Sequence, residues 1–89
     1  LRSTLLEPDE VTAFFYSSVD QDQVALSNLV EQMKKEKGMN IVLIDGYRNA
    51  KMTEKLGIQE MPILVELRKG SIIKMTEVKD DADLQKLDS

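Results

Sequence analysis

Apolar and polar positions change period several times along the chain, and each change marks an element. Val11-Thr-Ala-Phe-Phe-Tyr-Ser-Ser18 is short, aromatic and β-branched and follows the turn signal Pro8-Asp9, so a buried strand is expected over residues 11 to 18. The period then becomes helical. Leu26, Leu29, Val30 and Met33 fall at i, i+3, i+4 and i+7, with Lys34, Lys35 and Lys37 in the last turn and Gly38 as a stop, which predicts a helix over 22 to 37. Ile41 to Asp45 is a second continuous apolar run, and Asn49 to Leu56 reads as a short helix ended by Gly57. Pro62 to Leu67 and Ser71 to Val78 are strand-like and joined through Arg68-Lys69-Gly70, a hairpin connection. Asp80 to Leu87 closes the chain as a helix with acids in its first turn. The order β-α-β-α-β-β-α contains neither repeat nor linker, and predicts a right-handed parallel crossover, then an antiparallel hairpin, in one mixed sheet with helices on both faces.

Composition narrows what such a domain can do. Eighty-nine residues make a single unit spanning 1 to 89 that buries about 60 to 65% of its unfolded surface. Hydrophobic residues at 42% and charged residues at 31% exclude a disordered or low-complexity chain. Cys and His are both absent, which removes the disulfide, the thiol nucleophile, the usual general base and the commonest zinc ligand. No metal or cofactor is expected. Twelve basic against sixteen acidic side chains give a net charge of -4, a sign that opposes an electrostatic grip on nucleic acid or an anionic membrane. The excess belongs to residues 1 to 45, which hold eight acids and four bases, whereas 46 to 89 hold eight of each. No apolar run approaches the roughly 18 to 20 residues of a spanning helix. The first residue is Leu1 rather than Met, so the chain is expected to be a piece of a longer one, and no residue assigns a compartment.

The run Lys55-Leu56-Gly57-Ile58-Gln59-Glu60-Met61-Pro62-Ile63-Leu64-Val65-Glu66-Leu67-Arg68-Lys69-Gly70 resembles the thioredoxin segment Lys-Tyr-Gly-Ile, two residues, apolar-Pro-Thr, an apolar strand and Lys-Asn-Gly. Upstream, Phe15-Tyr16-Ser17-Ser18-Val19 is similar to the thioredoxin Phe-Trp-Ala-x-Trp, and the resemblance covers roughly residues 4 to 87. It implies an α/β fold, a thioredoxin-like mixed four-stranded sheet. It also places Asp20-Gln21-Asp22-Gln23 on the redox motif Cys-Gly-Pro-Cys, so both thiols are missing. Asn28 replaces the Pro that kinks the helix in that family, and the buried acid that assists thiol chemistry should lie near Ala13 or Phe14, neither ionisable. The scaffold is expected without its reaction.

For Asp20 the plainest role is N-cap of the long helix, with Gln23 supplying the return half of a capping box, worth about 1 kcal/mol. Partner contact by Asp20 and Asp22 is the functional alternative; metal binding is disfavoured, since hard cations want six or more oxygens. The resemblance implies a cis bond at Met61-Pro62, whose backbone either pairs with an extended peptide or serves folding alone, Pro62 otherwise simply opening an edge strand. Met33, Met39, Met52 and Met75 read as core gap-fillers. The reading is therefore a noncatalytic domain, a protein-binding or structural module, with a protein or extended peptide, neutral or basic, as partner. Its contact residues would be Val19, Asp20, Gln21, Asp22, Gln23, Ile58, Glu60, Met61 and Pro62. An enzyme or enzyme subunit using non-thiol chemistry on the same scaffold is the alternative, but Tyr16, Ser17, Ser18, Asp20, Asp22 and Glu60 offer no nucleophile-base spacing.

Overall fold

A computed structural model describes residues 10–38 and 40–85. The elements run β1 (Glu10–Tyr16), α1 (Gln21–Lys37), β2 (Ile41–Asp45), α2 (Ala50–Leu56), β3 (Ile63–Arg68), β4 (Ser71–Glu77) and α3 (Asp81–Gln85). The Pro8-Asp9 turn, Met39 and residues 86 and 87 of the expected last helix lie outside the described residues.

Four strands form one sheet in the order β2-β1-β3-β4. β1 and β2 are parallel, from Thr12 opposite Ile41 to Tyr16 opposite Asp45, with α1 as the crossover. β3 runs antiparallel to β1, placing Phe15 opposite Ile63. β4 returns antiparallel to β3, and a shift at Glu66/Leu67 leaves Ile73 as the extra residue of a bulge. The two-residue hairpin loop holds both of its residues at positive φ, Lys69 at 51° and Gly70 at 82°, the handedness that matches the strand twist.

Side chains of β1 alternate between two cores because successive residues of a strand point to opposite faces. Val11, Ala13 and Phe15 join Ile44, Ile63, Val65 and Leu67 under α2, whose Met52 and Leu56 pack on them. Phe14 joins Ile41 and Leu64 on the other face, beneath Leu26 and Val30 of α1 and Leu84 of α3. With both faces covered, the strand needs apolar residues at every position, which is why it reads as a run rather than an alternation. Phe14 and Phe15 are fully buried, each worth about 1.5 to 3 kcal/mol relative to exposure.

Several local expectations are corrected. Ser17 and Ser18 are not in the strand, because their N–H groups turn away to the side chains of Gln23 and Asp45. On α1 the buried stripe is Leu26, Val30 and the half-buried Met33, while Leu29 flanks it at 40% exposed and the small Ser27 faces the sheet instead, its hydroxyl donating to the Val24 carbonyl. Met75 is exposed at the sheet edge, not a gap-filler. Pro62 precedes β3, which is an inner strand paired on both sides, so Pro62 does not open an edge strand. Asn28 leaves α1 continuous over 17 residues.

Candidate functional site

In an open α/β sheet the loops leaving the carboxyl ends of the strands converge where successive connections go to opposite sides, and ligands sit there. Here that place is the carboxyl end of β1, with β2 on one side and β3 on the other. An open groove of about 550 Å³ lies at this end, between Asp20, Asp22, Gln23 and Leu26 of α1, the loop Gln59–Pro62, and Glu77, Val78 and Lys79 at the end of β4. A second depression lies around Thr12, Asn40, Glu66 and Lys74, toward the start of β1.

The wall formed by α1 follows from its first residues. Asp20 adopts an extended conformation (φ -106°, ψ 114°), and its Oδ1 accepts from the N–H of Asp22 at 2.9 Å and of Gln23 at 3.4 Å. The helix thereby caps itself, and its positive end is answered by an internal carboxylate. Gln23 does not complete a capping box. The Asp20 N–H goes instead to the Ser17 carbonyl, which frees the Gln23 amide for longer reach. Its Oε1 accepts from Ser17 N–H at 2.7 Å, and its Nε2 donates to the Met61 carbonyl at 3.1 Å and lies 3.3 Å from Asp20 Oδ2. One side chain therefore ties the end of β1, the start of α1 and the loop before β3.

Opposite stands the Met61-Pro62 loop, whose peptide bond is cis. The Pro62 carbonyl accepts from Val78 N–H at 3.2 Å, which fastens the end of β4 to this loop. Met61 packs its side chain against the core under α2, and its thioether occupies the space beside Gly46; a Cβ there would overlap Met61 Sδ and lie 3.3 Å from Thr53 Cγ2. Gly46 is thus required for close approach rather than for backbone freedom.

Among the described residues, the carboxyl groups of Asp45 and Glu60 are displaced from their ordinary range. Burial pushes the Asp45 carboxyl up, but hydrogen bonds from the Ser18 side chain and from the N–H groups of Ser18, Arg48 and Tyr47 outweigh it, so Asp45 stays below the usual carboxylate range. Its Oδ1 takes Tyr47 N–H at 3.0 Å and Ser18 N–H at 3.2 Å, joining the loops that follow β1 and β2. Glu60 is held above its ordinary range, first by a hydrogen bond with the Glu77 carboxyl and then by that group's charge, with Lys79 acting against both.

Of the residues expected in the site, Asp20, Asp22, Gln23, Glu60, Met61 and Pro62 line the groove together. Val19, at 66% exposed, and the exposed Gln21 do not line it. Ile58 is in the core instead. Its N–H bonds to the Thr53 carbonyl at 2.8 Å while Gly57 N–H bonds to Glu54, the end motif of a helix that folds its next apolar residue inward. Apolar Leu56-Gly57-Ile58 carried that signal. Glu77, Val78, Lys79, Gln59 and Leu26 also border the groove and were not expected there. Among the described residues that border it, Asp20, Asp22, Glu60 and Glu77 stand against one cation, Lys79. Among the described residues no helix is long and apolar enough to cross a membrane, and no cluster of three metal-ligating side chains occurs.

No protein-family model and no curated protein matches the sequence. Solved structures do. Thioredoxin from Plasmodium falciparum matches with a TM-score of 0.81 at 21% identity, over 97% of this chain and 85% of that one. An N21Q mutant thioredoxin from Halobacterium salinarum gives 0.74 at 22% identity, over 97% and 77%. Malassezia sympodialis thioredoxin gives 0.78 at 17% identity, over 97% and 80%. The likeness establishes the thioredoxin fold for this chain, and the chain has that fold with no cysteine anywhere in its sequence.

Proposed function

We propose that this thioredoxin-fold domain is a noncatalytic module that binds an extended segment of another protein in the groove between the start of α1 and the Met61-Pro62 loop. The observation that carries the reading is a formed groove at the strand ends of a chain without cysteine, with Asp20 and Gln23 engaged in hydrogen bonds that maintain its walls. Thiol-disulfide exchange has no thiol to proceed on. The polar residues left in the groove are suited to recognition. Leu26, Met61, Pro62 and Val78 supply a small apolar floor, and four carboxylates with Lys79 set a negative field.

Such a field favours neutral or basic partners, chiefly through association rate. An extended ligand also suits the exposed backbone, since strand-like pairing takes affinity from main-chain bonds and specificity from alternate side chains. The test is a calorimetric titration with two unstructured peptides of alternating Val and charged residues, one Lys-rich and one Glu-rich. The Lys-rich peptide binds, and weakens as salt rises from about 0.1 to about 1 M, which shortens the Debye length from about 10 to about 3 Å. Equal binding of both peptides, or binding indifferent to salt, contradicts the assignment of partner charge.

A further inference from the structure

We infer that the outer edge of β2 pairs antiparallel with the same edge of a second copy of this chain, joining two four-stranded sheets about a twofold axis at Val42. β2 ends the sheet and has β1 as its one neighbour. Two bonds fix which of its residues face that neighbour: Thr12 N–H donates to the Asn40 carbonyl at 3.4 Å, and Gly46 N–H donates to the Tyr16 carbonyl at 2.7 Å. With Thr12 opposite Ile41 and Tyr16 opposite Asp45 in the parallel register, the even-numbered residues of β2 bond inward, and Ile41, Leu43 and Asp45 turn their N–H and C=O outward. The outward carbonyl of Asp45 is satisfied within the chain, by Asn49 N–H at 3.1 Å and Asn49 Nδ2 at 2.8 Å. The outward groups of Ile41 and Leu43 have no partner among the described residues. Ile41 keeps 3% of its surface exposed, so water reaches its two groups poorly, and a buried backbone group without a partner is rare.

A second copy supplies what these groups lack. Two residues facing each other as a hydrogen-bonded antiparallel pair exchange both N–H···O=C bonds. Ile41 opposite Leu43 of the second copy, and Leu43 opposite its Ile41, therefore satisfy all of these groups at once, with Val42 facing Val42 on the axis. Sheet edges ordinarily resist such pairing through Lys, Pro or a bulge. β4, the other edge, has Lys74 and a bulge, whereas Ile41 to Ile44 holds neither charge nor Pro and pairs with β1 without a register shift. Charge favours the arrangement as well. α1 ends where β2 begins, so its last turn, with Lys34, Lys35 and Lys37 against Glu36, lies toward the strand ends of the second copy, where Asp20, Asp22 and Asp45 outnumber Arg48. The groove between α1 and the Met61-Pro62 loop takes no residue from β2, so the two surfaces are independent.

The test is amide hydrogen exchange of the wild-type chain at about 0.01 and about 1 mM, with sedimentation equilibrium over the same range. An interface built on two short strands falls below the standard size of about 1,600 Å² and forms toward the upper concentration. The mass rises to that of a dimer, and the Ile41 and Leu43 amides become protected at the higher concentration alone, whereas Val42 and Ile44, bonded to β1, are slow at both. The Val42→Cys variant tests the register. On the axis its sulfurs meet across a non-hydrogen-bonded pair, about 4.5 Å between Cα atoms, within disulfide reach. In a chain with no other cysteine, mild oxidation links the Val42→Cys variant into a dimer faster than the Met75→Cys variant, although Met75 is 41% exposed at the opposite edge. A monomer at every concentration overturns the inference, as does a dimer whose Ile41 and Leu43 amides still exchange freely. Protection of both amides in the monomer assigns the edge to another stretch of the same chain, and protection that needs the added Lys-rich peptide assigns it to a foreign strand; either overturns the second copy. Should Val42→Cys not fold, the wild-type exchange pattern decides.

Discussion

Replacing Asp20 by Ala and by Asn separates the two ways in which this carboxylate supports the groove. Asp20 Oδ1 receives two N–H groups of α1, but only the 2.9 Å bond from Asp22 is near ideal, and the 3.4 Å bond from Gln23 adds little. One good cap bond is worth about 1 kcal/mol, and a negative charge at a helix start adds about 0.3 to 1 kcal/mol. Asp20→Ala loses both and is expected to cost about 1 to 2 kcal/mol. Asn is as good a cap as Asp, so Asp20→Asn keeps the cap bond, loses the charge and the weak 3.3 Å contact from Gln23 Nε2, and costs about 0.3 to 1 kcal/mol. A domain of 89 residues has roughly 4 to 13 kcal/mol in total, so either loss is measurable. It shifts the melting midpoint by about 4 to 8 °C per kcal/mol. Urea unfolding followed by far-ultraviolet circular dichroism reads both values, and repeating it at about 1 M salt should erase most of the Asn effect while sparing most of the Ala effect. An Ala variant within about 0.3 kcal/mol of wild type would refute the cap. An Asn variant as weak as Ala and insensitive to salt would refute the division between hydrogen bond and charge.

Four further outcomes are expected. Gly46→Ala forces Met61 off its present position and costs about 1 to 3 kcal/mol, and a methyl-region spectrum should show the Met61 methyl moved while the Val30 methyls on the opposite face are unchanged. The low folded-state position of Asp45 contributes stability that is present above the ordinary carboxylate range and lost as pH falls through the lowered value. Asp45→Asn should therefore lower stability at neutral pH and flatten the acid limb of the stability curve. Glu60 has the opposite sign: its folded-state position is raised, so the ionised Glu60–Glu77 pair detracts from stability at neutral pH. Glu60→Gln should stabilise there and change little once Glu60 is protonated, again read by urea unfolding across pH. Lys69→Asn should stabilise by about 0.5 to 1 kcal/mol, because Asn tolerates the left-handed conformation at the first position of this hairpin turn better than Lys, and a midpoint shift in urea checks it.

The elements were legible where one residue type has one physical use. Gly38 and Gly57 stop α1 and α2 in the left-handed conformation, and the apolar runs of β1, β2 and β3 follow from burial on both faces of the sheet. The groove was less legible because its parts are distant in sequence. The Met61-Pro62 loop and the start of α1 were found through their likeness to thioredoxin, whereas Glu77 and Lys79 arrive only because β4 returns antiparallel and is fastened to Pro62 through Val78. Gln23 shows the limit most clearly. Three residues after an N-cap its type announces a capping box, yet in the folded chain the Asp20 N–H is already taken by Ser17, and the amide reaches Met61, 38 positions away. The Ser17–Asp20 turn is local, but the choice of Met61 as the amide's partner depends on tertiary geometry that no local pattern encodes. Ile58 is different, since apolar residues flanking a helix-ending Gly do signal its burial.

Backbone amide chemical-shift mapping with the Lys-Val alternating peptide tests most directly whether the groove at the strand ends is a binding surface. The expected shifts cluster at Asp20, Asp22, Gln23, Glu60, Met61 and Val78, the residues that meet in the groove from three separate stretches of chain. Shifts confined to α3 or to the Ile72-Ile73 edge of β4, with none at Asp20 to Gln23 or Met61, would contradict the claim and move the binding surface elsewhere on the same fold.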